Sequence, residues 1–233
     1  MTRVISLGGS IVAPDKVDCL YLQRFIELIK ALLTEDREER FIIVVGGGGP
    51  ARIWQAAYRQ VSGALGAAAD DGQADWIGIM ATRLNAQLVK ALFDPHCADD
   101  VVTNPEAGDN RFTGRVLLAA GWKPGFSSDN DAVLLAKRFG AKTVINLSNI
   151  EKVYTADPKT DPGARPIDSI SWEDFRAITG DVWTPGKNVP FDPVASRNAG
   201  EAGINVICAM GSDLENLRRI LRGESYTGTL IHA

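Results

Sequence analysis

The stretch Phe41 to Pro50, FIIVVGGGGP, decides the fold. It opens with a continuous apolar run, which is typical of a central parallel strand covered on both faces. Glycines 46–49 end that strand, and Pro50 suits the first turn of a helix. We therefore predict a strand, a glycine turn and a helix in direct succession.

The same unit occurs at the start of the chain. The aliphatic run Val4 to Leu7 stops at Gly-Gly-Ser, residues 8–10, and predicts a second buried strand that ends in a glycine turn. Between Val17 and Leu33 the apolar residues recur at three- and four-residue spacing, which predicts an amphipathic helix.

Alternating strands and helices continue to the C-terminus, with no repeat or low-complexity tract. The patterns predict helices over 76–93, 129–139, 193–202 and 213–221, a capping-box-like helix start at 171–174, strands near Val101 and Val116, and strands over 143–147, 204–209 and 228–231. This order predicts an α/β fold, a three-layer αβα sandwich with a mostly parallel sheet. We expect one domain over 1–233, with the Pro/Gly-rich stretch 157–166 as a surface excursion.

Composition excludes several classes of protein. The net charge of −4 argues against a general nucleic-acid binder, so anions must be bound locally. The three cysteines are far apart and lack metal-ligand spacing, which argues against a disulfide framework and a zinc site. Without a basic leader or an apolar run of about 20 residues, we expect a cytoplasmic protein that is not bound to a membrane.

The two glycine turns are candidate phosphate sites. Each follows a strand and precedes a helix, so backbone N–H groups can converge on phosphate oxygens. Neither turn matches the P-loop or the dinucleotide-binding pattern. A single glycine turn could equally be a tight connection between two elements.

Charged and hydroxyl side chains flank these turns. Arg52 follows the second turn, where a guanidinium can reach a bound phosphate, although an early-helix arginine is also commonly a solvated charge. The segment Gly121 to Asp129, GWKPGFSSD, combines a turn, a cation, hydroxyls and a carboxylate before a helix. Its alternative interpretation is an ordinary loop with Ser128 or Asp129 as the N-cap.

Five segments of the chain form a longer pattern. They are residues 4–10 ending in GGS, VVGGGGPAR at 44–52, DWIGIMATRLNA at 75–86, residues 124–129, and VYTADP at 153–158. Their order and intervals resemble those of archaeal-type UMP kinases of the amino acid kinase superfamily, over nearly the whole chain. The resemblance implies an amino acid kinase-like fold, transfer of the ATP γ-phosphoryl group to UMP, and Mg²⁺ as the accompanying ion.

The resemblance also implies roles for single residues. The ATP phosphates would be held by Gly9, Ser10, Gly48 and Arg52, and the adenine and ribose pocket would be lined by Ser148, Tyr154 and Asp157. Arg52 and Ser10 would act in catalysis, with Asp129 as an organiser of cations, water or loop geometry. No general base is needed, because a UMP phosphate oxygen is already a nucleophile.

On the UMP side, the resemblance implies that Asp75 faces the ribose hydroxyls. The other expected contacts are Gly47, Trp122, Lys123, Pro124, Gly125, Phe126, Ser127 and Ser128. The alternative for Asp75 is a carboxylate at a helix N-terminus, which the helix dipole favours. The resemblance further implies a homo-oligomer, with a hexamer as the arrangement that the family suggests, and nucleotides as its small-molecule partners.

The chain departs from the family pattern in three places. Ser6 stands where many superfamily kinases have a lysine, Glu151-Lys152 replaces an Asp-Gly turn, and Lys123 lies in a more aromatic loop. Two other functions therefore stay open: a kinase of the same fold for another small phosphate or a carboxylate, and a storage protein that binds molybdate and nucleotide.

Overall fold

The computed structural model describes residues 1–180 and 189–233. The strands are β1 (Thr2–Leu7), β2 (Arg40–Val45), β3 (Val116–Ala119), β4 (Thr143–Ser148), β5 (Val153–Tyr154), β6 (Pro166–Ile167), β7 (Ser169–Ser171), β8 (Asn205–Met210) and β9 (Thr229–His232). The helices are α1 (Gly9–Val12), α2 (Cys19–Glu35), α3 (Gly48–Ala64), α4 (Asp71–Phe93), α5 (Ser128–Phe139), α6 (Trp172–Thr179), α7 (Pro193–Ala202) and α8 (Leu214–Arg222).

Seven strands form one sheet in the order β3-β2-β1-β4-β8-β9-β7. Strands β3, β2, β1, β4 and β8 are parallel neighbours, while β9 runs antiparallel to β8. The carboxyl ends of β1, β2, β3 and β4 therefore meet at one edge. Strand order reverses beside β1, where open α/β sheets form a ligand crevice.

Two hydrophobic cores cover the two faces of the sheet. One contains the buried side of α2 with residues of α4 and α8, and includes Phe25 and Phe93. The other contains residues of α5, α6 and α7, and includes Phe175 and Phe191. This confirms the predicted αβα layering with a mostly parallel sheet. Among the described residues, no helix combines the length and apolar character needed to cross a bilayer.

Several predicted elements differ from those observed. The prediction of a strand near Val101 was wrong, because this segment makes only an isolated bridge between Val102 and Ala119. Helix α4 begins at Asp71 rather than 76, since Asp70 caps it by accepting from the backbone N–H of Gln73. Asp75 thus lies in the second turn of α4, and its interpretation as a helix-terminal charge is wrong. Sequence patterns also missed the short strands β5, β6 and β7.

The two glycine turns touch each other through their backbones. A Cβ atom added at Gly9 would lie 2.1 Å from the backbone nitrogen of Gly48, and one added at Gly46 would lie 2.4 Å from that of Gly9. Gly48 has a positive φ of 66°, which side chains disfavour. Because β1 and β2 are paired in register up to Leu7 and Val45, the turns leave the sheet side by side.

We predict that Gly9→Ala destabilises the protein, because its methyl group would force the two turns apart. The expected loss of unfolding free energy is about 1 to 3 kcal/mol, measured by urea denaturation. Gly63→Ala is the matched control: it lies in α3 with no atom within 4 Å of an added Cβ, so it should stabilise by roughly 0.5 to 1 kcal/mol. Equal stability of the two variants would contradict the close contact.

Candidate active site

The glycine turns present a group of unpaired backbone donors. The N–H groups of Gly8, Gly46 and Gly49 donate to the carbonyl oxygens of Leu147, Leu7 and Ala13 at 2.8 to 3.0 Å. Within the described chain, those of Gly9, Ser10, Gly47 and Gly48 have no protein acceptor. These four come from two helix starts that are in contact. Such a group can hold an anion.

Helix α4 holds the second glycine turn, residues 46–49, through the side chain of Asn85. Asn85 is 4% exposed, and its Nδ2 donates to the carbonyl oxygens of Gly46 at 2.9 Å and Gly47 at 3.2 Å. The carbonyl groups are thereby turned inward. The opposite ends of these peptide units, including the Gly48 N–H, are left pointing away from α4.

Arg52 lies on the exposed side of α3, one turn after Gly48. Its Nη2 donates to the carbonyl oxygen of Pro14 at 3.0 Å. Gly49 also donates to the carbonyl oxygen of Ala13, the residue before Pro14. The guanidinium therefore lies next to the amide cradle, as we call the unpaired N–H groups of the two glycine turns. The charge of Arg52 has no carboxylate partner among the described residues.

The loop 122–127 lies beside the second turn, at the end of β3. Thr82 connects the two regions: its Oγ1 accepts from the N–H of Gly121 at 2.8 Å, and its methyl carbon would be 3.4 Å from a Cβ added at Gly47. Arg83 donates to the carbonyl oxygens of Gly121 at 3.4 Å and Trp122 at 3.1 Å. Asp75 accepts from the N–H of Gly125 at 3.2 Å.

This loop carries a cation between two aromatic rings. The Nζ of Lys123 is 3.8 Å from the ring centroid of Trp122 and 4.6 Å from that of Phe126. The two rings meet edge to face with centroids 4.9 Å apart. Pro124 and Gly125 form the tip, where Gly125 has a φ of 78°. The structure thus brings Asp75 together with the 122–127 segment, and Thr82 connects the start of that segment to Gly47.

Ser127, rather than Ser128 or Asp129, is the N-cap of α5. Its side chain accepts from the backbone N–H of Asn130 at 3.2 Å. The alternative in which Ser128 or Asp129 merely caps the helix is therefore wrong. Ser128 is the first helical residue, and the carboxylate of Asp129 is free for other contacts.

Asp129 reaches from α5 to the central strand β1. Its Oδ1 accepts from the Oγ of Ser6 at 2.9 Å, and its Oδ2 from the N–H of Asp192 at 3.3 Å. Although part of the residue is exposed, its carboxyl group is desolvated by its surroundings. This desolvation raises the pKa of Asp129 to about 6, with a further contribution from the nearby Asp192 carboxylate. Ser6 thus connects the central strand β1 to the start of α5 by a hydroxyl group.

A second buried carboxyl group, Asp131, lies half a turn further along α5. It is 1% exposed, and burial raises its pKa to about 7, helped by the neighbouring Asp129. Its Oδ2 accepts from the N–H of Trp122 at 3.3 Å. Sequence reasoning missed Asp131, as it missed Asn85, Thr82 and Arg83. The TRLNA motif contains the last three, and it was the available signal.

The predicted adenine-side residues are spread over two sheets. Ser148 ends β4 next to the first turn, since the Gly8 N–H donates to Leu147. Tyr154 and Asp157 belong to the separate β5–β6 hairpin and its loop. Asp157 is exposed and stabilises a turn by accepting from the N–H of Lys159 at 2.9 Å. The hairpin joins the main sheet where the Val153 N–H donates to Thr229.

The donor set of the site is poor in metal ligands. In residues 1–180 and 189–233, no three Asp, Glu, His or Cys side chains lie together in a way that could hold a metal ion. The site instead consists of amides, hydroxyls, Arg52 and Lys123. It suits an anionic ligand.

Comparison with known proteins identifies the family of the chain. The model of the amino acid kinase family matches residues 1–209. The chain is 34% identical to a uridylate kinase of Methanospirillum hungatei over 99% of its own length and 94% of that protein's, and 33% identical to one of Hyperthermus butylicus over 98% and 96%.

Solved structures give the same result for the fold. The crystal structure of uridylate kinase from Archaeoglobus fulgidus matches with a TM-score of 0.82 and 31% identity, covering 99% of this chain and all of that one. UMP kinase from Bacillus anthracis shares the fold, with a TM-score of 0.75 at 19% identity over 99% and 95% of the two chains. With its family model matched over most of its length, this chain belongs to the amino acid kinase family.

Proposed function

We propose that the protein is a uridylate kinase, which transfers the γ-phosphoryl group of ATP to UMP and releases UDP and ADP. One observation carries the proposal: unpaired amides of two touching glycine turns lie beside a loop that α4 holds through Asp75 and Arg83. One site could then hold two phosphates next to each other. The full-length similarity to proteins named uridylate kinase supports UMP as the acceptor.

Phosphoryl transfer needs in-line positioning and neutralisation of charge more than it needs covalent chemistry. The amides of Gly9, Ser10, Gly47 and Gly48 would bind the phosphate oxygens, with the Ser10 hydroxyl as a further donor. Arg52 would stabilise charge on the moving group. Asp129 would organise the site through Ser6, since the acceptor phosphate needs no base.

Binding of the two nucleotides would divide along the chain. The N-terminal half would bind UMP through Gly47, Asp75 and residues 122–128, and the C-terminal half would bind ATP through Ser148, Tyr154 and Asp157. The ring of Tyr154 offers a face for adenine, and Asp157 an acceptor for ribose hydroxyls. We infer that residues 1–233 act as one domain, and that the enzyme works in the cytoplasm.

Mg²⁺ would enter the site with ATP as part of the substrate. The described residues offer no carboxylate cluster for a resident ion, which is compatible with a metal held mainly by phosphate oxygens and water. The ion would neutralise phosphate charge, while Asp129 would fix water or loop geometry nearby.

The acceptor is tested by incubating the protein with Mg-ATP and UMP, CMP, dUMP, an isoprenoid phosphate, an amino acid or molybdate. We expect UDP as the product, with UMP preferred over dUMP because Asp75 accepts from the 2′-hydroxyl. If the protein phosphorylates only another phosphate compound or a carboxylate, that compound is the acceptor and UMP is not. Molybdate retention without transfer, seen by metal analysis, would indicate storage.

Variants of Asp75 sharpen this test. Asp75→Ala should raise the KM for UMP and reduce the preference for UMP over dUMP, with the KM for ATP nearly unchanged. Asp75→Asn keeps an acceptor for the Gly125 N–H, so it controls for loss of the loop contact. A folded Asp75→Ala variant with an unaltered UMP to dUMP ratio would remove Asp75 from the acceptor site.

Arg52 should matter for catalysis and not for folding, because it is exposed and beside the amide cradle. We expect Arg52→Ala to lower kcat/KM roughly tenfold or more, as loss of a charge-assisted contact of about 1.5 to 3 kcal/mol implies. Arg59→Ala is the matched control on the same helix, where Arg59 pairs with Asp71 at the surface. If both variants have wild-type kinetics, Arg52 is only a solvated charge.

We also propose that the protein is a homo-oligomer that associates through α3 and α4. Five apolar residues of α4 at four-residue spacing are exposed by 36 to 72%: Trp76, Met80, Leu84, Leu88 and Leu92. Helix α3 adds three exposed apolar residues, Ile53, Trp54 and Val61, and its C-cap Leu65 adds a fourth. Patches of this extent are uncommon on monomers, and a second copy would cover them with the same surface in a two-fold pair.

Leu84→Glu should lower the number of chains in the oligomer, because Leu84 is 72% exposed at the centre of the apolar stripe on α4. Light scattering after size exclusion should give a smaller mass for this variant than for wild type. Leu20→Glu, on α2 and 57% exposed, should leave the mass unchanged. A monomeric wild type, or an unchanged mass for Leu84→Glu, would contradict this interface; a mass of six chains would support the hexamer.

A further inference from the structure

Asp131 is a buried charge whose hydrogen bonding is incomplete. It is 1% exposed, its Oδ2 accepts only the Trp122 N–H, and its Oδ1 has no partner among the described residues. A buried carboxylate oxygen without a donor is costly for the fold. An asparagine or an apolar residue would fill this position at lower cost, so a carboxyl group here points to a role outside folding.

In the part of the chain that the structure describes, the hydrogen-bond partner of Asp131 is the residue where the 122–127 loop begins. The Trp122 N–H is held by Asp131 on α5, and the Trp122 carbonyl oxygen by Arg83 on α4. At its tip the loop is held by Asp75, through the Gly125 N–H. Of these three side chains, only Asp131 approaches from the helix layer opposite α4. The path of the loop therefore depends on a contact that crosses the end of the sheet.

We propose that Asp131 is a positioning residue for the phosphate acceptor: its carboxyl group fixes the main chain at Trp122, and with it the loop beside the glycine turns. The inference rests on the proposed uridylate kinase function, in which this loop binds UMP. Asp131 itself need not touch either nucleotide.

The strength of this contact should depend on pH. An ionised carboxylate accepts an N–H more strongly than a neutral acid does. Because burial raises the pKa of Asp131 to about 7, the strong form is present above that pH and is lost as pH falls through it. The loop should then loosen below about pH 7 and be held tightly above it.

Among residues 1–180 and 189–233, the other charged groups around Asp131 and the loop lie on α4, on α5, before α7 and in the loop itself. Asp129 precedes it on α5 and titrates near pH 6, and Asp192 lies before α7 beside Asp129. Arg83 faces the site from α4 and donates to two carbonyl oxygens. Asp75, also on α4, accepts from the Gly125 N–H. Lys123 stacks on the loop's own rings. On the side of the sheet, Asp129 contacts the uncharged Ser6 of β1. Cys208 of β8, whose pKa is raised by burial to about 12, is also near Asp129.

The test compares the wild type with Asp131→Asn, which has the same shape and keeps an acceptor for the Trp122 N–H at every pH. In the wild type the KM for UMP should rise about fivefold more between pH 8 and pH 6 than it does in Asp131→Asn, a factor equal to the difference between charged and neutral hydrogen bonds. The KM for ATP should not differ in its pH dependence. The UMP phosphate titrates in the same way in both assays, so its effect on KM cancels when the two proteins are compared. Asp174 is a carboxylate in the first turn of another helix, α6. Asp174→Asn therefore controls for the loss of a charge at a helix start, and its KM for UMP should depend on pH as that of the wild type does.

A second measurement does not need UMP. Hydrogen–deuterium exchange of a peptide covering Trp122 to Phe126, corrected for intrinsic rates, should be faster at pH 6 than at pH 8 in the wild type and equal at both in Asp131→Asn. Parallel pH profiles of both KM and exchange in the two proteins would overturn the proposal and leave Asp131 a structural residue. If the wild type fails to phosphorylate UMP, the proposed function fails, and the exchange difference alone decides whether Asp131 positions the loop.

Discussion

The site depends on a main-chain contact that any side chain would prevent. Strands β1 and β2 are hydrogen-bonded neighbours, so the turns that follow them leave the sheet only about 5 Å apart. With glycine at 9, 46 and 48, the two backbones touch, and the amides at the starts of α1 and α3 come together in one place. Residues about 40 positions apart in the chain thereby bring unpaired main-chain donors together, next to the charge of Arg52.

Carboxyl groups arrange the surroundings of this site, and two of them are partly neutral near pH 7. Asp129 and Asp131 lie in the first turns of α5, where the helix dipole favours their charge, yet burial outweighs that effect and raises the pKa of both. Their negative charge would otherwise oppose phosphate binding.

The sequence predicted the fold well because its signals are local. Continuous apolar runs, glycine turns and helical periodicity identify β1, β2, β4, β8 and most helices within a few residues. The segment at Val101 failed because one bridge to Ala119 cannot sustain a strand. The residues that complete the site were missed for another reason: Asn85 holds carbonyl groups 38 and 39 positions away, and Asp131 meets Trp122 only after α5 has packed. The choice of Ser127 over Ser128 as cap depends on one backbone angle that composition does not encode. The nucleotide-binding roles of the predicted residues remain predictions.

Helix α4 has little surface left for variation. One side holds Gly46 and Gly47 through Asn85 and the loop through Asp75, Thr82 and Arg83; another packs Val89 and Phe93 into the core; a third presents the apolar stripe. A change at any of these positions would disturb one of the three surfaces. The tip of the loop, at Lys123 and Pro124, is constrained far less. Divergence of acceptor preference among descendants of this protein should therefore accumulate in that short segment, while α4 changes slowly and preserves the ancestral arrangement.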